Sequence, residues 1–362
     1  MQPPEEQERT MEGMLNWIYL VWIKGGNSPA CVHQGSGAAK LDNTQRRHGP
    51  VQRSHRPVPG YGPFVLYYTH DRSSRPHAIP LLFSHGWPGS FVEANNTTDP
   101  AFDLVAPSIP GFGCSPAPTK SGVGPNVVAR AYKILMTEVL GYRTFVTQGG
   151  DFGSFITRSI AIHYPDIVRA QHLNMFPVPP PTLMSAPLAY LRWCLSSLTY
   201  SPFEIEALRV RRNFETDQSG YLEQQKTRPQ TLGFALGDSP IGLLAWFVEK
   251  FHDWADVNEA FSDSDIITLV MMHWIQGATP GLRFYREAFG RVAAPTGVSM
   301  YAKEQLHCPR DWAVQAANIQ YWKEYERGGH FSSLERPDLF VQDMRSFFSS
   351  PAVLKSLRAE WK

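Results

Sequence analysis

Three side chains of this sequence could together make a nucleophile, a base and an anchor for the base. The first lies in Gln148-Gly149-Gly150-Asp151-Phe152-Gly153-Ser154, which puts a carboxylate at the tip of a glycine-flanked turn. An ionised carboxylate that attacks an electrophilic carbon forms an ester, and water can cleave an ester. Read alone, the same aspartate is equally an ordinary N-cap of the next helix. The second is His330, set in the loop Arg327-Gly328-Gly329-His330-Phe331, whose glycines let an imidazole swing toward the turn. The third must be a carboxylate that fixes the imidazole tautomer and supports its positive form. Asp311, Glu324 and Glu326 are candidates by position. Glu304 is preferred because it follows the strand-like run Gly297-Val298-Ser299-Met300-Tyr301, and sites on open α/β sheets collect at strand ends.

Each of these residues needs an element to aim it. Arg143-Thr144-Phe145-Val146-Thr147 reads as a short buried strand before the turn, and Phe155 to Ile162 has the apolar spacing of a helix after it. Strand, tight turn and helix make a nucleophile elbow, in which small neighbours are required because the backbone is strained and crowded. Ile79-Pro80-Leu81-Leu82-Phe83-Ser84 is an apolar strand running into His85-Gly86-Trp87-Pro88-Gly89-Ser90, a turn able to point backbone amides at one spot. Phe102 to Pro107 is another short strand, ending in Pro110-Gly111-Phe112-Gly113. The order Asp, acid, His is that of an α/β-hydrolase. The fold expected is therefore α/β, an α/β-hydrolase core with a mostly parallel sheet and a helical lid inserted between the core halves.

The motifs resemble, in family order, those of the microsomal-type epoxide hydrolases. The matching residues are His85 to Ser90, Gly149 to Gly153, His172-Leu173-Asn174-Met175, Phe284-Tyr285-Arg286-Glu287, Thr296 to Leu306, and Gly328-Gly329-His330-Phe331. They span about residues 61 to 350. The resemblance implies that two lid tyrosines, Tyr221 and Tyr285, hydrogen-bond the epoxide oxygen, although a chain with 14 tyrosines has many that only pack. It implies that Asp151 attacks an epoxide carbon and that His330, oriented by Glu304, activates the water that cleaves the ester. The backbone N–H groups of Trp87 and Phe152 would hold the oxyanion, at about 2.7 to 4 kcal/mol per donor. A serine nucleophile would instead leave an ether that water does not cleave. The partners implied are a small hydrophobic epoxide and water. A haloalkane dehalogenase shares the Asp nucleophile, but the paired tyrosines oppose it. An inactive homologue binding an apolar ligand is the reading from a different class.

Three features depart from that family. Phe152 stands where its members usually carry Trp, a swap that leaves the backbone amide in place. The family's N-terminal arm is hardly recognisable in residues 1 to 60, where Gly25, Gly26, Gly35, Gly37 and the Gln45-Arg46-Arg47-His48 stretch read as loop or disorder. Only Phe91 to Ala101 separate the oxyanion loop from the next strand, short for a parallel crossover with its helix.

At 362 residues, 43% hydrophobic and net charge +1, the chain can bury a large core and shows no electrostatic bias toward nucleic acid. Cys31, Cys114, Cys194 and Cys308 form no C-x-x-C pair, and the 12 histidines include no H-E-x-x-H. No metal and no nucleotide cofactor are expected. Asn95 and Asn96 head N-x-T sequons that read as incidental. The apolar run from Leu15 to Ile23 is far short of the ~20 residues that span a bilayer, and acidic Glu5, Glu6, Glu8 and Glu12 precede it. The expectation is a soluble, cytoplasmic protein without a membrane span, with a homodimer compatible. The motif positions divide it into an atypical region 1–60, a first core half 61–176, a lid 177–287 opened by Phe176-Pro177-Val178-Pro179-Pro180-Pro181, and a second core half 288–362.

Overall fold

Leu81, Leu82 and Phe83 are consecutive, yet they serve two different cores, Leu82 on one face of a sheet and its two neighbours on the other. The period of two along a strand imposes that split. Phe145 and Val146 divide in the same way, as do Leu104 and Val105. Continuous apolar runs of this kind form strands covered on both faces. Each fully buried Leu, Val or Phe contributes about 1.5–3 kcal/mol from its removal from water.

The computed structural model describes residues 51–87, 100–113, 115–120, 122–256, 262–286 and 295–358. The apolar run 15–23, Pro88 to Ser90, the sequons at Asn95 and Asn96, the short connection 91–99, Cys31 and Cys114 lie outside the described residues. Among the described residues eight strands form one sheet: β1 (Gln52–Val58), β2 (Gly62–Asp71), β3 (Ile79–Ser84), β4 (Phe102–Pro107), β5 (Phe145–Gly149), β6 (Val168–Leu173), β7 (Pro295–Lys303) and β8 (Asn318–Gly329). Their order is β1-β2-β4-β3-β5-β6-β7-β8. The β1/β2 and β2/β4 pairs are antiparallel, and every other pair is parallel. This is the α/β-hydrolase sheet expected from the motif order. The edge strand β8 exposes Lys323, Glu324, Glu326 and Arg327, charges that discourage pairing with another chain.

One expectation shifts. The strand read at 143–147 forms over Phe145–Gly149, two residues later. Gln and Gly are poor strand formers, but hydrogen bonding to β3 and β6 on both sides overrides that weak preference.

Helices fill the interval between β6 and β7. Pro240–Trp254 begins at Ser239, whose hydroxyl accepts from the Gly242 amide, and it buries Leu243, Phe247, Lys250, Phe251 and Trp254 along one face. That face completes the core cluster holding Trp87 and Leu82. Among the described residues no single helix is long and apolar enough to cross a membrane. The pair Pro229–Asp238 and Pro240–Trp254 has the composition but bends by 117°.

Candidate active site

Asp151 is, with His77, one of two non-glycine residues at positive φ among the described residues. Its φ of 45° and ψ of −125° put a non-glycine residue in a region that costs about 1–3 kcal/mol. The crowding around it accounts for the small neighbours. A Cβ at Gly153 would overlap the Ser84 carbonyl, one at Gly150 the Asn174 side chain, and one at Gly86 the Asp151 side chain itself. Gly86 thereby lets the next residue bring its amide to the carboxylate: Trp87 N–H donates to Asp151 Oδ1 at 2.7 Å. Asp151 sits at the N-cap position of the helix Phe152–His163, but its side chain makes no cap hydrogen bond. The ordinary capping role is thus not what this carboxylate does. Phe152 is the first residue of that helix, where amides lack partners within the helix.

The turn that presents Trp87 is fixed from beneath by His85. Its Nδ1 lies 3.1 Å from the Gly86 carbonyl, and its Nε2 accepts from the Ile109 amide at 3.1 Å. Nδ1 therefore donates to the carbonyl, and the accepting role of Nε2 requires a neutral ring. Burial pulls the His85 pKa down to about 4, against the raising effects of the Gly86 carbonyl and Asp151.

The other carboxylate oxygen of Asp151 is 3.5 Å from His330 Nε2. On the far side of the ring, Nδ1 is 3.0 Å from Glu304 Oε2 and 3.2 Å from Oε1. Glu304 follows the last residue of β7, is fully buried, and accepts the Leu306 amide at 3.1 Å. Burial would raise its pKa, but His330 and the Leu306 amide outweigh that and hold it below the usual carboxylate range. Burial would likewise lower His330, yet the Glu304 and Asp151 carboxylates together push it up to about 10. The competing acids lie elsewhere. Asp311 accepts from Tyr200 and pairs with Arg192 at 3.5 Å, while Glu324 takes the Trp322 indole N–H on exposed β8 and Glu326 is exposed on the same strand.

Trp87 is also the hub of the lid contacts. Tyr221, in the helix Gly220–Thr227, stacks on it at 5.9 Å and 10°, and Tyr285 meets it edge-on at 5.8 Å and 86°. The two phenol rings are 5.7 Å apart at 88°, and Tyr285 packs on Phe152 at 4.5 Å. The Tyr285 hydroxyl is shielded from solvent, with the Tyr221 hydroxyl and the Gln225 side chain as its polar neighbours. Burial raises both phenols well above their ordinary pKa, and the charge of Asp151 raises them further. They stay protonated donors. A cavity of about 50 Å³ borders Asp151, His330, Ser84 and Asn174 and reaches Ser333 and Leu334.

Sequence reasoning missed several neighbours. Lys250 is buried on the inner face of the helix Pro240–Trp254, its ammonium 5.1 Å from the Tyr221 ring centroid and 4.4 Å from that of Trp246. A lysine in register with Leu243, Phe247 and Trp254 was the available signal. Asp256 and Glu335, both buried beside the His330 loop, carried none.

Comparison with known proteins bears on the same residues. The family described as alpha/beta hydrolase fold matches residues 79–204, and that described as epoxide hydrolase N terminus matches residues 45–94. The second match begins inside residues 1–60, where the family's arm is hardly recognisable by motif, and corrects that expectation for residues 45–60. Epoxide hydrolase 1 of Sus scrofa is 34% identical over 314 residues, covering 75% of this chain and 68% of the relative. Epoxide hydrolase 1 of Oryctolagus cuniculus is 32% identical over 308 residues, covering 74% and 67%. The chain thus spans about two thirds of these relatives. Among solved structures, the Aspergillus niger epoxide hydrolase superposes with TM-score 0.72 at 26% identity, over 96% of this chain and 94% of that one. The juvenile hormone epoxide hydrolase of the silkworm Bombyx mori gives 0.71 at 25% identity, over 82% and 77%.

Proposed function

The chain belongs to the epoxide hydrolase family, and on that premise we propose that it converts a hydrophobic epoxide to a vicinal diol through a covalent ester on Asp151. One observation carries the reading. Asp151 stands in a strained turn with one oxygen on the Trp87 amide and the other facing His330, whose far nitrogen meets Glu304.

In the first half-reaction an Asp151 oxygen forms a bond to one ring carbon as that carbon's bond to the epoxide oxygen breaks. Tyr221 and Tyr285 donate to the departing oxygen, which becomes the first hydroxyl. Their raised pKa values suit donors that must not ionise beforehand. His330 is held at about 10 by its two carboxylates and so enters the cycle as the imidazolium.

Esterification removes the Asp151 charge, and with it part of what held the His330 pKa up. The ring then moves toward the range of a useful base, still oriented by Glu304. Its proton replaces the one that the phenols gave to the epoxide oxygen, and the neutral ring then takes a proton from water, whose oxygen bonds to the Asp151 carboxyl carbon. The Trp87 and Phe152 amides stabilise the resulting oxyanion. Collapse expels the diol and leaves one oxygen from water in Asp151. In this reading residues 177–287 are the lid, and Phe247 and Trp254 wall the substrate space through their contacts with Trp87 at 5.1 and 6.4 Å.

The test is one turnover with styrene oxide in oxygen-18 water, followed by mass spectrometry of the Asp151 peptide and the diol. Label in Asp151 with an unlabelled first diol is expected. Label in the first diol with none in Asp151 would replace the ester route by direct attack of water.

A further inference from the structure

His330 is held in place by more than its ring contacts. Its own amide donates to the Trp254 carbonyl at 2.9 Å, at the end of the lid helix Pro240–Trp254. Two residues earlier, the Gly328 amide donates to Asp256 Oδ2 at 3.1 Å. One residue later, the Phe331 amide donates to Glu335 Oε1 at 2.8 Å, and the other oxygen of that carboxylate accepts the Asp256 amide at 2.7 Å. Glu335 therefore bridges the base loop and the end of the lid helix with one oxygen on each. On the opposite flank, Gln305, next to Glu304, reaches the Asp253 carbonyl at 3.4 Å. The segment 253–256 touches both loops that carry the base and its anchor.

Glu335 is 6% exposed. Burial pushes its pKa up to about 7, against the two amides and the His330 charge, with Asp256 opposing them. A buried carboxylate is an expensive way to satisfy two amides. It is also the side chain with a separate acceptor oxygen for each of them. Glutamine has one acceptor and would turn an NH2 group against the second amide.

We propose that Glu335 is a positioning residue for the hydrolytic half-reaction, tying the His330 loop to the end of the lid helix. The inference rests on the ester mechanism above. The side chains that open the epoxide, Asp151, Tyr221 and Tyr285, stand on other elements, so the tie bears most directly on His330, whose proton abstraction belongs to the second half-reaction.

The experiment is rapid-quench single turnover with styrene oxide, comparing the full chain with Glu335→Gln and following the Asp151 ester by mass spectrometry. Ester formation is expected within about threefold of the parent, and ester decay slower by about 10–100-fold, the scale of a small misplacement of a reacting group. Unchanged decay, or formation and decay slowed alike, would overturn the proposal. If Glu335→Gln does not fold, Glu335→Asp carries the same comparison, since it keeps the charge but shortens the bridge by one methylene. A selective slowing of decay is expected there too, and equal slowing of both steps would overturn the proposal. Absence of any ester in the parent would overturn the mechanism itself and this inference with it.

Discussion

The two sides of the site are built from different materials. On the core side, Asp151 is fixed by backbone: a strained turn, the Trp87 amide, and glycines at 86, 150 and 153 where any side chain would collide. On the lid side, Tyr221, Tyr285, Phe247 and Trp254 are held by ring-on-ring packing around Trp87. Hydrogen bonds to backbone and excluded volume set positions sharply, whereas packed rings keep contact through modest changes of angle. The contrast is one of construction: the core side is positioned by backbone geometry, and the lid side by the packing of rings.

The most direct way to break the comparison is Asp151→Asn. The amide still accepts from Trp87, so folding should survive, while turnover falls by about four orders of magnitude or more. Circular dichroism with a diol assay checks both halves of that statement. A folded variant retaining substantial turnover would remove the nucleophile from the core side.

Tyr285→Phe tests the lid side, and its effect is smaller. Loss of one donor should slow ester formation by about 100-fold and leave ester decay unchanged. Rapid-quench kinetics separates the two steps. Equal slowing of both would mean that the hydroxyl supports the shape of the site rather than donating to the epoxide oxygen.

The pH dependence of stability sharpens the contrast further, because His330 is the core-side charge with the largest raised value. Its pKa is about 10 in the fold against an ordinary 6.5. The stability it confers is whole below 6.5 and is lost as pH rises through 10. Melting temperature should therefore fall between these limits, and fall less steeply in His330→Gln. Parallel curves would show that His330 gains no proton on folding.

The smallest expected effect is that of Lys250→Met. Burial lowers the lysine pKa, and its partner Glu249 is largely exposed. Exchanging such a pair member for an apolar side chain of similar length should alter stability by no more than about 1 kcal/mol in urea unfolding. A larger loss would mean that the cation over the Tyr221 ring anchors the lid side by charge after all.

Much of the core side was legible before any coordinates. Gly149-Gly150-Asp151-Phe152-Gly153 and His85-Gly86-Trp87 announce tight turns because steric limits on backbone act between near neighbours. The strands at Ile79–Ser84 and Phe102–Pro107 fell where continuous apolar runs placed them. The β5 boundary did not, since its last residues are strand only through their partners. On the lid side a single buried lysine among aromatics was readable as an anomaly, but its place over Tyr221 was not.

The sequence by itself determined the fold class, the family, and the local turns able to hold a carboxylate, an amide donor and a histidine. Only the tertiary structure decided that Glu304 rather than Asp311, Glu324 or Glu326 meets His330, and that Glu335 ties the base loop to the lid helix through Asp256. The physical reason is range. Turn and strand preferences are written in neighbouring residues, whereas a hydrogen bond between groups dozens of residues apart depends on how the whole sheet and lid pack.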